Sequence, residues 1–295
     1  MAVIARAEID SGSPRKLWTM PLPTSVLRQD PSRFDGTGLD RRDPAYIRDL
    51  LPLLDLLYRH YFRVTATGLE NLPGSGPALV VGNHSGGIMT PDTAMTLHAW
   101  MTTRGAEAPV YGLAHPAFFR IPYLNVHAMK IGAIRAHPRQ AMEALEQGAV
   151  VLVYPGGGDE VYRSFRRRNE VDLMGRTGFI KLAVRYGAPI VPLVAAGGHE
   201  TLIVLDEGER LARWLGLHRR GVPRLPVSLS WPWGVTVGFP FNVPFPAKID
   251  IRVGEPIDLG VTSADMRDRR VVRACYEGIE TRMQEMLDEL VAARA

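Results

Sequence analysis

The sequence predicts an α/β fold, a mostly parallel central sheet flanked by helices and preceded by an N-terminal helical arm. Short apolar runs of strand length recur along the chain and alternate with helix-like segments, which is the signature of βαβ units. Apolar residues make up 46% of the 295 residues, enough to bury one sizeable core. Charged residues, at 22%, lie close to the globular average and argue against general disorder.

The elements follow in chain order. Residues 1–42 are rich in Pro, Ser, Gly, Arg and Asp and read as an extended, partly ordered arm. A helix then starts at Asp43-Pro44, with Asp as N-cap and Pro at the first helical position, and runs to about Phe62 with a kink at Pro52. Its apolar residues, including Ile47, Leu50, Leu54, Leu57 and Tyr61, keep the 3.6 period. Such a stripe faces either a core or a membrane interface. Strands are expected at 78–82, 108–114, 128–134, 149–155, 189–195 and 248–254. Helices are expected over 91–101, 138–147 and 177–186. A last helix is expected from near Thr262-Ser-Ala-Asp265, with an apolar stripe of Val272, Cys275, Ile279, Met283, Met286 and Leu290. This divides the chain into an arm with its amphipathic helix (1–63) and an α/β domain (64–295). The stretch LPVSLSWPWGVTVGFPFNVPFP (225–246) is crowded with Pro, Trp and Phe and reads either as an irregular core connection or as an exposed apolar surface for lipid.

Composition removes several classes. The formal charge of +4 and a pI of about 9.3 favour an anionic partner without naming one. The basic residues lack the aromatic interleaving of single-stranded nucleic-acid binders, so no nucleic-acid partner is expected. A single cysteine, Cys275, excludes an internal disulfide framework and fits a reducing compartment. The first residues, MAVIARAEIDSGSPRK, contain no apolar h-region, and no uninterrupted apolar run is long enough to span a bilayer. The expectation is a cytoplasmic protein, peripherally membrane-associated.

The chemistry concentrates after the first buried strand, in VVGNHSGGIMTPD (80–92). Asn83 and His84 fall just past the carboxyl end of ALVVG, where open α/β sheets place their ligand sites. Ser85-Gly86-Gly87 makes a turn that lets backbone approach a substrate. Thr90, Pro91 and Asp92 take the N-cap, N1 and N2 positions of the next helix, where a carboxylate is favoured in its ionised form. Asp92 can return to the imidazole Nδ1, fix the tautomer and leave Nε2 as a base.

Three more segments, IGAIRA (131–136), VLVYPGGGDE (151–160) and GRTGFIKLAVRYGAPIVPLVAAGGHE (175–200), follow GNHSGG in order. Together they resemble the phospholipid/glycerol acyltransferase superfamily, and within it the diacylglycerol-acyltransferase-like branch, over roughly residues 64–260. The resemblance implies a glycerolipid acyltransferase-like fold. It also implies transfer of a fatty acyl group from an acyl thioester, acyl-CoA or acyl-ACP, to a lipid hydroxyl, with His84 as general base. The family's His-x4-Asp signature would put Asp at position 89, which is Met here, so the partner role passes to Asp92. The glycerol-phosphate enzymes' Phe-Pro-Glu-Gly-Thr-Arg block becomes Tyr154-Pro155-Gly156-Gly157-Gly158-Asp159-Glu160. Glu gives way to Gly156 and Arg to Asp159, and Gly-Gly-X-X-Glu is similar to the neutral-lipid branch. Asp159 and Glu160 would repel a phosphate unless Arg135, Arg163 or Arg166 compensates.

In the route this resemblance implies, Arg135, Gly156, Gly157, Gly158, Glu160 and Arg176 bind substrate. Backbone amides of Gly86-Gly87 or of Gly156–Gly158 supply the oxyanion site. No metal, cofactor or covalent enzyme intermediate is called for. Arg163, Arg166, Arg167, Arg168 and Arg176 form either a solvated loop or a site for the donor's phosphates or anionic headgroups, with Arg176 the leading residue. Rival chemistries find less support. A Gly-X-Ser-X-Gly elbow and a Walker lysine are both missing. A metal set of His84, Asp92, His199 and Glu200 lacks the second histidine of a zinc helix. The rival of another class is a non-catalytic lipid-binding protein that keeps the fold.

Overall fold

The computed structural model describes residues 24–294. In chain order it contains α1 (Pro44–Leu56), β1 (Thr65–Thr67), β2 (Ala78–Gly82), α2 (Pro91–Arg104), β3 (Val110–Ala114), α3 (Leu124–Lys130), β4 (Ala133–Arg135), α4 (Pro138–Glu146) and β5 (Val150–Val153). The second half contains α5 (Gly157–Val161), α6 (Gly178–Tyr186), β6 (Ile190–Ala196), β7 (Ile203–Asp206), α7 (Glu209–Trp214), β8 (Val227–Ser230), β9 (Gly234–Val237), β10 (Asp250–Val253) and α8 (Arg269–Ala292).

Seven strands form the main sheet in the order β1-β10-β6-β2-β5-β3-β4. The run from β6 to β4 is parallel, while β10 pairs antiparallel with β6 and brings β1 alongside it. The central strands β2 and β6 are buried along their whole length, which explains their unbroken apolar sequence. Side chains alternate between two cores. On one face Leu79, Val81, Val151 and Ile190 pack against Ala144 of α4, Ile180 of α6 and Ile279, Met283 and Leu287 of α8. On the other, Val80, Leu152, Val191 and Leu193 meet Met95 and Trp100 of α2 and Ile47 of α1. The amphipathic stripe of α1 thus faces this core. Asp43 caps it by accepting from the Tyr46 amide at 3.0 Å, and the helix passes through Pro52 before a π-helical turn at Leu57–Tyr61.

Several expectations change. The 128–134 run is not one strand. It spans the end of α3, where Ala128 and Met129 are buried as helix residues, then a turn at Gly132, and only the start of β4. A short apolar run does not distinguish the two states. The last helix begins at Arg269, capped by Asp268, because Thr262 and Asp265 bond each other around a separate 3-10 turn, Asp265–Arg267. The 225–246 stretch is neither a core connection nor wholly irregular. It supplies the β8–β9 hairpin, which joins β7 in a second, three-stranded antiparallel sheet. Of the N-terminal arm, residues 1–23 lie outside the described region. The part that follows is held on α3, with Phe34 buried and the Asn125 side-chain amide donating to the Pro31 and Phe34 carbonyls.

Leu79→Ala, which empties a fully buried position of the central strand, is expected to lower the unfolding free energy by about 2–5 kcal/mol. Leu205→Ala, on the exposed face of β7, should stay within about 0.5 kcal/mol in the same chemical denaturation experiment.

Candidate active site

The site begins where β2 leaves the sheet. The Asn83 side chain takes the place of strand backbone. Its Oδ1 accepts from the Ala195 amide at 2.8 Å and its Nδ2 donates to the Ala195 carbonyl at 3.0 Å. This anchors the next residue, His84, at the carboxyl edge of the central strand. The His84 ring stacks on Tyr154 from the end of β5, with centroids 4.2 Å apart and planes 8° from parallel. Tyr154 is held beneath it by burial, which drives its phenol well above the ordinary range, with the Asp92 charge adding to the effect.

His84 Nδ1 lies 3.0 Å from Asp92 Oδ2. Asp92 is buried, and both of its oxygens are engaged. Oδ2 accepts from the Ser85 amide (2.8 Å) and hydroxyl (3.2 Å), and Oδ1 from the Thr93 amide (2.6 Å) and hydroxyl (3.3 Å). The spacing of eight residues is accommodated by a 3-10 turn at Gly87–Met89, which takes up the extra length between the imidazole and the helix start. Thr90 stands at the N-cap position but makes no capping bond. Its φ of +38° is strained for a β-branched residue, and the Asp92 carboxylate receives the Thr93 amide in its place. His84 Nε2 makes no hydrogen bond among the described residues, and the ring remains partly exposed.

The glycine block lies beside this pair. Glu160 is buried under Gly156, and a Cβ at Gly156 would sit 2.3 Å from Glu160 Oε2 and 2.7 Å from the Asp172 carbonyl oxygen. No side chain fits there without displacing Glu160 and the Asp172 backbone. Burial pushes the Glu160 carboxyl up to about 8, against the opposing pull of Arg163 and of the His84 and Asp172 amides. The arginines are largely committed to internal partners. Arg176 donates from Nη1 to the Pro155 (2.7 Å) and Gly156 (3.2 Å) carbonyls and pairs with Asp159 at 2.7 Å. Arg163 is buried, 3.4 Å from Glu160 Oε1, and donates to the Glu170 carbonyl. Arg167 pairs with Glu170, and Arg168 covers the Phe165 ring. Arg166 is the exposed member of the run with no ion pair among the described residues. Arg135 ends β4, three strands from β2 and so about 14 Å away along the sheet, where it donates to the Asp35 carbonyl.

The structure thus gathers His84, Asp92, Glu160 and the block at 156–158, tied by Arg176, and leaves Arg135 at the sheet edge. It also adds residues that local sequence did not point to. Tyr154 is a stacking platform, and Ser85 is a second donor to Asp92. Gly198 is required where a Cβ would fall 1.9 Å from Ser85 Oγ. His199 is buried behind the site with Nδ1 unpartnered. Its imidazole is pushed down to about 3 by burial and then by the charge of Arg163. The metal set suggested by the sequence is divided, because Glu200 pairs with Arg294 at 3.1 Å. Among the described residues no cluster of His, Cys, Asp and Glu is arranged to hold a metal.

A loop histidine paired with a buried aspartate thus stands at the carboxyl edge of a mostly parallel sheet. The Acyltransferase family profile matches residues 63–196. An uncharacterised protein of Mycobacterium tuberculosis is 33% identical over 82% of this chain, which spans 66% of that relative's length. Human diacylglycerol O-acyltransferase 2 is 27% identical over 68% of this chain and 54% of its own. The crystal structure of the 1-acyl-sn-glycerophosphate acyltransferase from Thermotoga maritima shares the fold, with a TM-score of 0.50 over 84% of this chain and 82% of that one, at 19% identity. The chain belongs to the phospholipid/glycerolipid acyltransferase superfamily.

Two outcomes test the site's construction. Gly198→Ala should cost about 1–3 kcal/mol in chemical denaturation, since the new methyl must displace Ser85 from Asp92. The low folded-state pKa of His199 means that the unfolded chain binds its proton first. Stability should therefore fall as pH drops from about 6.5 toward about 3. His199→Gln should remove a slope of up to about 1.4 kcal/mol per pH unit from that range.

Proposed function

We propose that this protein is an O-acyltransferase that moves a fatty acyl group from acyl-CoA or acyl-ACP to a lipid hydroxyl. The observation that carries the reading is the His84–Asp92 pair, with Nε2 unbonded at the sheet rim. In this route Nε2 takes the hydroxyl proton as the acceptor oxygen attacks the thioester carbonyl. The carbon–sulfur bond then breaks, and the proton passes to the departing thiolate. Asp92 holds the Nδ1–H tautomer and stabilises the imidazolium formed on the way. Amides of Gly86-Gly87 or of the 156–158 block serve the oxyanion, and Arg176 and Glu160 hold that block in shape.

The acceptor is a neutral lipid. Gly156 stands where the glycerol-phosphate enzymes carry their acceptor-contacting Glu, and the nearby arginines other than Arg166 are already engaged within the protein. The name of the human relative, a diacylglycerol acyltransferase, points the same way. Such an acceptor resides in a bilayer, so the protein works from a membrane surface. Peripheral attachment is the mode proposed; no described helix is long and apolar enough to cross a membrane.

Acyl-CoA consumption with a panel of mono- and diacylglycerol acceptors, followed by thiol release, tests the reading. His84→Ala is expected to lower kcat by about 10²–10⁴, and Asp92→Asn to lower it while leaving donor binding in place. Wild-type-like turnover by His84→Ala would refute the mechanism. Donor binding without any His84-dependent product would favour a non-catalytic lipid binder.

A further inference from the structure

The second sheet is built inside out. Along β8 and β9 the register pairs Val227 with Val237, Ser228 with Thr236 and Leu229 with Val235. One face therefore carries Ser228, Ser230 and Thr236. This polar face is turned inward, with Ser228 and Ser230 buried. The Ser230 and Thr236 hydroxyls lie 3.2 Å apart, and Thr236 donates to the Ser228 carbonyl at 3.2 Å. The opposite side carries Leu229, Trp231, Val235 and Val237, with Trp233 at the hairpin turn and Leu205 in the bulge of β7, all between 37% and 65% exposed, and the register adds one charge to it, Asp206 opposite Val227. An antiparallel sheet with one solvated face normally shows water its polar side. Here a contiguous apolar face is turned outward, as expected where that face meets an apolar phase.

Two further observations identify the phase. The 225–246 stretch contains no Asp, Glu, Lys, Arg or His. The connection from β7 to β8 presents a strongly exposed Trp214 together with exposed Arg210, Arg219 and Arg220, which have no ion pair among the described residues. The acids of that connection are already engaged. Asp206 accepts from the Gly208 amide at 2.6 Å, and Glu207 and Glu209 pair with Arg224. Tryptophans around an apolar face with a single acid at its edge, flanked by arginines without ion pairs among the described residues, suit the interface of an anionic bilayer. The face also connects to the site. Phe239, just past β9, meets Tyr162 edge-on with centroids 5.0 Å apart. Tyr162 packs with Leu202 and Ile88, and Ile88 lies in the loop between His84 and Asp92.

We infer that the outward face of the β7–β8–β9 sheet is a membrane-docking element that inserts into the interface of anionic bilayers and sets the His84 loop against the lipid. The link to His84 rests on the acyl-transfer reading, whereas the docking itself does not. The test is co-sedimentation of the full chain with vesicles of phosphatidylcholine alone and of phosphatidylcholine mixed with phosphatidylglycerol, with tryptophan emission as a second readout. Wild type should bind the mixed vesicles more tightly and shift its emission to the blue. The paired variant Trp231→Ser/Trp233→Ser, and separately Val235→Glu, should weaken binding at least about tenfold with near-ultraviolet circular dichroism of the core retained. His84→Ala should bind as wild type does. Transfer to a short-chain, water-soluble acceptor should survive in the hairpin variants. Wild-type binding by both hairpin variants, or no vesicle binding by wild type, overturns the proposal. So does a solution dimer that the Trp231/Trp233 variant dissociates without any effect of vesicles, because the face would then belong to a second copy. Vesicle binding that depends on the hairpin, with no acyl transfer by wild type, would leave the docking standing and remove the enzyme reading.

Discussion

The 3.0 Å contact between His84 Nδ1 and the Asp92 carboxylate is the interaction around which the site is arranged. A buried carboxylate is costly unless hydrogen bonds replace its water. Ser85 and Thr93 provide those bonds from both sides, one ahead of α2 and one within its first turn. The loop can close around the acid only because Gly198, beyond the end of β6, leaves room for Ser85. Central strand, loop, helix start and neighbouring strand end are thus joined at one carboxylate. The imidazole it orients keeps its other nitrogen without a hydrogen-bond partner among the described residues.

Charge is distributed with the same economy. The sequence raises the concern that Asp159 and Glu160 would repel an anionic substrate and names Arg135, Arg163 or Arg166 as the remedy. The structure answers differently. Asp159 is neutralised by Arg176 and flanked by Arg224, while Glu160 is buried beside Arg163 and becomes hard to ionise. The repulsion is therefore largely removed, and of the nearby arginines Arg166 alone stays exposed without an ion pair among the described residues.

Much of this was legible in linear order. Asn83-His84 directly follows a buried strand, and Asp92 falls in the first turn of the next helix. Those local facts sufficed to pair them because a short loop keeps both at the same sheet edge. The glycine block was legible as a departure from the family pattern. Its reason was not, since the obstruction at Gly156 comes from Glu160 and Asp172 folded back against it. His199 was visible only as a metal ligand that lacked partners. Its burial beside Arg163 depends on how β6 ends relative to α5, which no local pattern records.

The sequence by itself determined the βαβ succession, the two-faced central strands and the position of the histidine. Each of these depends on periodicity and spacing within a few residues. Tertiary structure alone decided the strand order, the engagement of the arginines and the direction of the β7–β8–β9 sheet. Alternation along a hairpin marks two faces but does not say which one points to solvent. That choice is made by what the rest of the chain packs beneath it, and here the core side received the hydroxyls while the outer side kept the tryptophans.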